Sequence, residues 1–349
     1  MSVQYKAIHW NPQKKAYDLV IVILTVSYLI AFMATTIIIH PNLDPVNLII
    51  RAFGSLSLIL IHLVLIIGPL CRLSSSFLPL LYNRRHLGVT TFLVAAIHGV
   101  LSLVQFHGNG DSNVLISLFT ANTQYDSLAQ FPFQVLGYYA LLILFFMAAT
   151  SHDFWLKNLG QNFWKRLHIL IYIAYVLIIM HVMLGVIQLE SSPLLIIFLC
   201  IGFTAVISLH LIAGWKEIKQ DRQIQNFLDD GYLFAGTVDL WEDGKARIVN
   251  NGKERIAIFR NGNEFTAISN QCAHQGGPLG EGRIVDGVIT CPWHGYQYRT
   301  NDGCSPPPFS EKVPTFNLKS VNNKIFLDPI PNPAGTAVEV ISVKVKGER

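Results

Sequence analysis

Charge is what this chain has least of. Its 26 Lys and Arg and 22 Asp and Glu make up 14% of 349 residues, where an ordinary soluble domain carries about 25%. A fully solvated globule is therefore excluded for most of the length, and 51% hydrophobic residues point to a membrane protein. The net charge of +4 leaves no basic footprint for nucleic acid. Cysteine is also sparse. The five, at 71, 200, 272, 291 and 304, are too scattered for a disulfide framework and suit a reducing compartment. No G-x-G-x-x-G run occurs, which removes the usual fingerprint of a dinucleotide-binding domain.

What is present is a series of apolar stretches of spanning length, at about 17–39, 48–70, 88–106, 133–150, 167–188 and 193–214. The expected fold class is membrane α followed by soluble β: a six-helix transmembrane bundle over 17–214, a charged linker over 215–232, and an all-β domain over 233–349. The first apolar run begins after Lys14-Lys15 and is too long for a signal-peptide core, so it is expected to span, with 1–16 on the cytosolic side. Loop charge sets the topology. Lys and Arg gather at 14–15, 72–85, 157–166 and 216–222, while 40–47, 107–132 and 189–192 have none. Both termini are thus expected in the cytosol of a bacterial plasma membrane. Arg51, near the outer end of the second span, is the exception. The outer loop at 107–132 is half apolar from Val114 to Phe119 and is expected to lie in the interface as a lid. From Leu233 the pattern changes to short alternating strands, ending with one over 338–345.

The β region contains Cys272-Ala273-His274 and, sixteen residues on, Cys291-Pro292-Trp293-His294-Gly295. Two thiolates and two imidazoles on separate loops are the ligand set of a Rieske [2Fe-2S] centre, with Cys272 and Cys291 on one iron and His274 and His294 on the other. A Cys2His2 zinc site uses the same residue types, but its spacing pairs Cys with Cys and His with His. From Glu264 to about Leu327 the chain resembles Rieske ferredoxins, including Gly276-Gly277-Pro278-Leu279-Gly280, Gly303 and Pro306-Pro307-Pro308. Quinol-oxidising members of that family have an extra disulfide and a serine donor. Here those positions are Gly277 with Trp293, and Gly295-Tyr296. The resemblance implies fewer donors to the cluster and a ferredoxin-like potential. Cys304 is expected to be a loop thiol.

Ionisable side chains inside a bilayer are functional candidates, and His62, His86, His98, His168 and His181 all fall within or beside spans. One alone could simply bond a neighbouring helix; several on facing helices suit axial ligation of haem. His168 and His181 are thirteen residues apart, about 20 Å along a helix. Counted from the basic cytosolic flanks, His98 and His181 lie at one depth and can share an outer haem. Arg51 is then placed to pair with haem carboxylates, or to snorkel to headgroups. Arg84-Arg85-His86-Leu87-Gly88, His98, Ala149-Thr150-Ser151, and Trp164-Lys165-Arg166-Leu167-His168 with Tyr172 and His181 resemble the ferric reductase-like transmembrane domain. The likeness runs toward the haem b subunits of bacterial methionine sulfoxide reductase systems. It implies one or two b haems, ligands at His98, His168 and His181, and outward electron flow. The inner partner of His168 on the third span is open: Arg84 stands fourteen residues before His98, and His86, only twelve before it, is the expected choice. His62 has no counterpart in the family.

The expected function is transmembrane electron transfer between a cytosolic cluster and membrane haem. A cytosolic flavoprotein or ferredoxin reductase would be the donor, and the acceptor would be periplasmic or in the membrane. Direct reduction of quinone, oxygen, superoxide or ferric iron is an alternative, and so is a redox sensor or assembly protein. A Rieske oxygenase is disfavoured, because no 2-His-1-carboxylate motif follows.

Overall fold

The computed structural model describes residues 12–81, 83–189, 193–221, 231–293 and 295–343. They form two compact units, one over Pro12–Ala213 and one from Gly214 onward.

In the first unit the long helices are α1 (Pro12–Ile39), α2 (Pro45–Leu73), α3 (Arg84–His107), α4 (Phe133–Ala149), α5 (Ile171–Leu184) and α6 (Pro193–Asp221). Local chemistry sets some of their ends. Asp44 caps α2 by accepting the Asn47 N–H, with Pro45 in the first turn where its missing donor costs nothing. Just before α5 a short helix, Gln161–Ile169, continues the same path with a break at Leu170. Among the described residues five stretches are long and apolar enough to cross a bilayer: Lys14–Ile39, Pro45–Leu73, Arg84–His107, Phe163–Gln188 and Pro193–Lys219. The sixth apolar stretch is α4, whose 17 residues measure about 25 Å, somewhat short of a 30 Å hydrocarbon core.

Helix α2 packs along α3, and α4 along α5. Between them lies a core of Ile61, Leu65, Leu144, Ala174, Tyr175, Ile179, Leu199 and Val206. Leu19, Ile23 and Ile38 of α1, Val100 and Val104 of α3, and Ile201 and Leu211 of α6 face outward; in lipid such side chains need no burial by protein. The outer loop contains a helix of about two turns, Val114–Thr120, with Leu118 buried and Leu115 and Ile116 exposed.

The second unit is built on strands β1 (Leu233–Thr237), β2 (Ala246–Asn250), β3 (Arg255–Asn261), β4 (Glu264–Ser269), β5 (Arg283–Val285), β6 (Val288–Thr290), β7 (Gln297–Arg299), β8 (Thr315–Phe316), β9 (Leu318–Val321), β10 (Lys324–Leu327) and β11 (Ile341–Ser342). They form three sheets, β1-β10-β9, β11-β4-β3-β2 with β8 also on β4, and β5-β6-β7. The β3–β4 hairpin is buried on both faces, and its two-residue alternation divides the interior. Ile256, Ile258, Phe265 and Ala267 turn to one core with Trp241, Phe316 and Leu327. Ala257, Phe259 and Ile268 turn to the other, with Leu279, Ile289, Tyr298 and the two cysteines 272 and 291. The expected strand over 338–345 is shorter in the structure, where only Ile341 and Ser342 pair with β4. The free edge of β4 is shared: β8 occupies it at Ala267 and Ile268, leaving Phe265 and Glu264 to β11. Residues 344 and 345 lie outside the described ones.

Candidate cofactor sites

In the β unit, β4 leads to Cys272 and β6 to Cys291, and the two loops they enter fold alike. Each cysteine carbonyl accepts the N–H of a glycine four residues later, Gly276 at 2.7 Å and Gly295 at 2.9 Å. Each cysteine N–H donates to the carbonyl five residues later, Gly277 at 2.9 Å and Tyr296 at 2.7 Å. Gly276 and Gly295 hold φ of 72° and 74°, a region that costs other residues about 1 kcal/mol or more. The turns leave both thiols buried. Gly277 has a further reason to be glycine, because a Cβ there would stand 2.8 Å from the Cys291 sulfur.

His274 is 7% exposed, stacked on Tyr296 at 4.1 Å between ring centres, and Tyr296 packs in turn on Phe309 of the proline loop. A buried imidazole fixed by stacking, on the same short loop as the buried Cys272 thiol, fits a metal cluster. His294, the fourth expected ligand, lies outside the described residues. The Cys291 side chain, followed by the Tyr298 hydroxyl, holds the Cys272 thiol down to about 7 although burial pushes the other way. Tyr298 was not foreseen as a donor: it is fully buried, with its hydroxyl 3.3 Å from the Cys272 sulfur. The signal was available, since β7 alternation turns Tyr298, like Tyr296, inward. Cys304 is partly buried beside the carbonyls of Asp302 and Gly335.

In the helical unit the rings of His98 and His181 meet, with centres 6.3 Å apart and planes at 79°. Two imidazole nitrogens sharing an iron at about 2 Å each would place the ring centres about 6 Å apart, so the pair fits haem ligation. Each ring is oriented by a carbonyl on another helix. His98 Nδ1 lies 3.0 Å from Ile50 O on α2, and His181 Nδ1 lies 2.8 Å from Phe133 O on α4. A carbonyl can only accept, so in both rings Nδ1 carries the hydrogen and Nε2 is left to bind.

The remaining expected ligands have other partners. His86 Nδ1 sits 2.8 Å from an Asp18 carboxylate oxygen of α1. His168 stacks on Trp164 at 3.7 Å and donates Nδ1–H to the Trp164 carbonyl, one turn back. Among the described residues no ring-to-ring contact pairs His86 with His168 as one pairs His98 with His181. His62 is buried, its Nδ1 2.6 Å from Leu58 O, its ring between Tyr175 and Phe198, and its Nε2 without a partner. Arg51 is partly buried and directly follows Ile50, whose carbonyl orients His98. Arg84 instead turns back to α2, donating to the Val64 carbonyl at 3.0 Å.

The likenesses to known proteins fall one in each unit. Residues 53–179 match the family model of the ferric reductase like transmembrane component, and residues 231–317 match that of the Rieske [2Fe-2S] domain. The protein-methionine-sulfoxide reductase heme-binding subunit MsrQ of Ralstonia nicotianae is 29% identical over 138 residues, 40% of this chain and 58% of that protein. Human apoptosis-inducing factor 3 is 29% identical over 87 residues, 25% of this chain and 14% of that one. The chain therefore spans little more than half of one relative and a small part of the other. Among solved structures, the ferredoxin of carbazole 1,9a-dioxygenase from Nocardioides aromaticivorans IC177 is similar over 28% of this chain and 98% of its own, with 22% identity and a TM-score of 0.27. The chain carries a ferric reductase-like transmembrane stretch followed by a Rieske [2Fe-2S] domain, and it is an integral membrane protein.

Proposed function

We propose that this chain, a ferric reductase-like membrane domain joined to a Rieske domain, passes single electrons between a cytosolic [2Fe-2S] cluster and a b haem in the outer half of the bilayer. The acceptor lies at the outer face or in the membrane. The observation that carries the reading is the His98–His181 pair, at 6.3 Å and with both Nδ1 atoms committed to carbonyls. Bound here, haem and cluster supply one-electron couples. The protein supplies position: α3 and α5 present two Nε2 atoms, while Cys272, Cys291, His274 and His294 hold the cluster. The haem-binding relative supports the same assignment.

The bundle counts six spans in this reading, with α4 as the short one, and loop charge directs both termini to the cytosol. One haem is assigned, to His98 and His181, the one pair of imidazole rings that face each other among the described residues. Arg51, at the outer end of α2, is placed to pair with the haem carboxylates. With no nucleotide fingerprint in the sequence, the donor is a separate cytosolic flavoprotein or ferredoxin reductase.

The test is a haem and iron count on purified protein with optical, EPR and potentiometric titration. One low-spin bis-imidazole haem per cluster, with electrons equilibrating between the two, is expected. Haem absent from protein that keeps its cluster would overturn the reading.

A further inference from the structure

The two haem-site histidines are held by the same three-part device. In each case a ligand imidazole on one helix donates Nδ1–H to a carbonyl on its neighbour, and one turn beyond that carbonyl stands a glycine. For His98 the carbonyl is Ile50 and the glycine Gly54; for His181 they are Phe133 and Gly137. Each member of the second set follows its counterpart by 83 residues, and the helix pairs α2–α3 and α4–α5 carry the two sets.

The glycines lie where a side chain would meet the ring. A Cβ at Gly54 would stand 2.9 Å from Cε1 and Nδ1 of His98, and a Cβ at Gly137 would stand 2.9 Å from the same two atoms of His181. Carbon at that distance is well inside the usual 3.5–4.0 Å contact. The imidazole could accommodate it only by swinging about its Cβ–Cγ bond, which moves Nδ1 off the carbonyl and turns the ring plane. The angle between the rings, 79°, is therefore constrained by backbone on α2 and α4.

We propose that Gly54 and Gly137 are positioning residues that lock the two ligand imidazoles near a right angle across the iron. The inference rests on the haem reading above. Perpendicular axial imidazoles leave the two iron dπ orbitals that they engage nearly equal in energy, and this gives ferric low-spin haem a strongly anisotropic EPR signal with a large maximum g. Parallel rings separate the orbitals and give an ordinary rhombic spectrum.

The experiment is low-temperature EPR and haem quantitation on the full-length, haem-loaded protein and on Gly54→Ala and Gly137→Ala. Wild type is expected to show the large-g signal, and each variant to lose it toward a rhombic one or to bind severalfold less haem. Gly202→Ala is the packing control: its Cβ would crowd His62 at 2.5 Å, outside the ligand pair, and it should leave the signal shape and the haem content unchanged. A rhombic wild-type spectrum would overturn the inference, and so would wild-type signals at full haem in both ligand-side variants. Equal haem loss in all three variants would reduce the effect to general packing and overturn it as well. Absence of any bis-imidazole haem in wild type would instead sink the haem reading.

Discussion

Each unit of this protein has candidate metal-binding histidines, and the two scaffolds orient them by different means. In the helical unit Nδ1 of His98 and of His181 is taken by a carbonyl on a neighbouring helix, so Nε2 is free. In the β unit the ring of His274 is held instead by stacking flat against Tyr296. The scaffold explains the difference. A helix keeps its own carbonyls along its axis, and a side chain reaching a neighbouring helix finds that helix's carbonyls. A tight loop built on a glycine at positive φ spends its carbonyls on its own turn. The same side chain is thus oriented non-locally by helix packing in one unit and by aromatic stacking within two short loops in the other.

The largest effect expected from breaking this comparison is loss of a cofactor from one unit alone. His98→Ala or His181→Ala should remove the haem and leave the Rieske EPR signal at full intensity. Cys291→Ser should remove the cluster and leave the haem spectrum unchanged, since the two sites have separate cores. Haem loss in Cys291→Ser, read from the Soret band, would show that the units do not hold their cofactors independently.

The contrast also explains what could be read in advance. Cys272, His274, Cys291 and the turn glycines fall within 24 residues, so spacing alone carries most of their geometry. In the membrane domain the partners are 48 and 83 residues apart in sequence. Depth counting from basic flanks brings His98 and His181 to one level, because helix rise is fixed. It cannot tell which way a ring turns. Asp18 of α1 claims His86, a contact that periodicity does not give, while Trp164 claims His168 as its i,i+4 neighbour, a contact that periodicity does give. Gly54 and Gly137 look like ordinary membrane-helix glycines until the 83-residue register is seen.

A smaller effect tests how locally the β site is tuned. Counting donors by motif implied a ferredoxin-like potential, but that count omitted Tyr298, whose hydroxyl is 3.3 Å from the Cys272 sulfur. A donor to a ligand sulfur favours the more negative, reduced cluster. Tyr298→Phe keeps the ring that fills the pocket and removes only the hydroxyl. The cluster potential should fall, on the order of 40 mV for each kcal/mol of difference between oxidation states, with the haem potential unmoved. Redox titration of both centres in one sample checks this, and an unchanged cluster potential would dismiss Tyr298 as a tuning group.

The smallest effect concerns the turn that follows β7. Arg299 reaches both oxygens of Asp302, with Nε at 3.1 and 3.0 Å, and the Cys304 N–H donates to the same carboxylate at 2.9 Å. Burial would raise the Asp302 pKa, but the Arg299 and Cys304 hydrogen bonds outweigh it and hold the carboxyl below its ordinary 3.8. A group depressed in the folded state stabilises above its unfolded pKa, and that stability is lost as pH falls through the folded value. Arg299 is 46% exposed, so the pair contributes only about 0.5–1 kcal/mol. Asp302→Asn should therefore speed hydrogen exchange at the Cys304 amide by roughly two- to fivefold at pH 7, in line with that energy. The ratio of protection factors should shrink toward one as the pH drops below about 3.8. A ratio independent of pH would assign the turn's order to its backbone bonds, Gly303 N–H to Arg299 O and Val313 N–H to Gly303 O, rather than to charge. The β unit would then hold this turn by backbone geometry alone, as it does the two ligand loops.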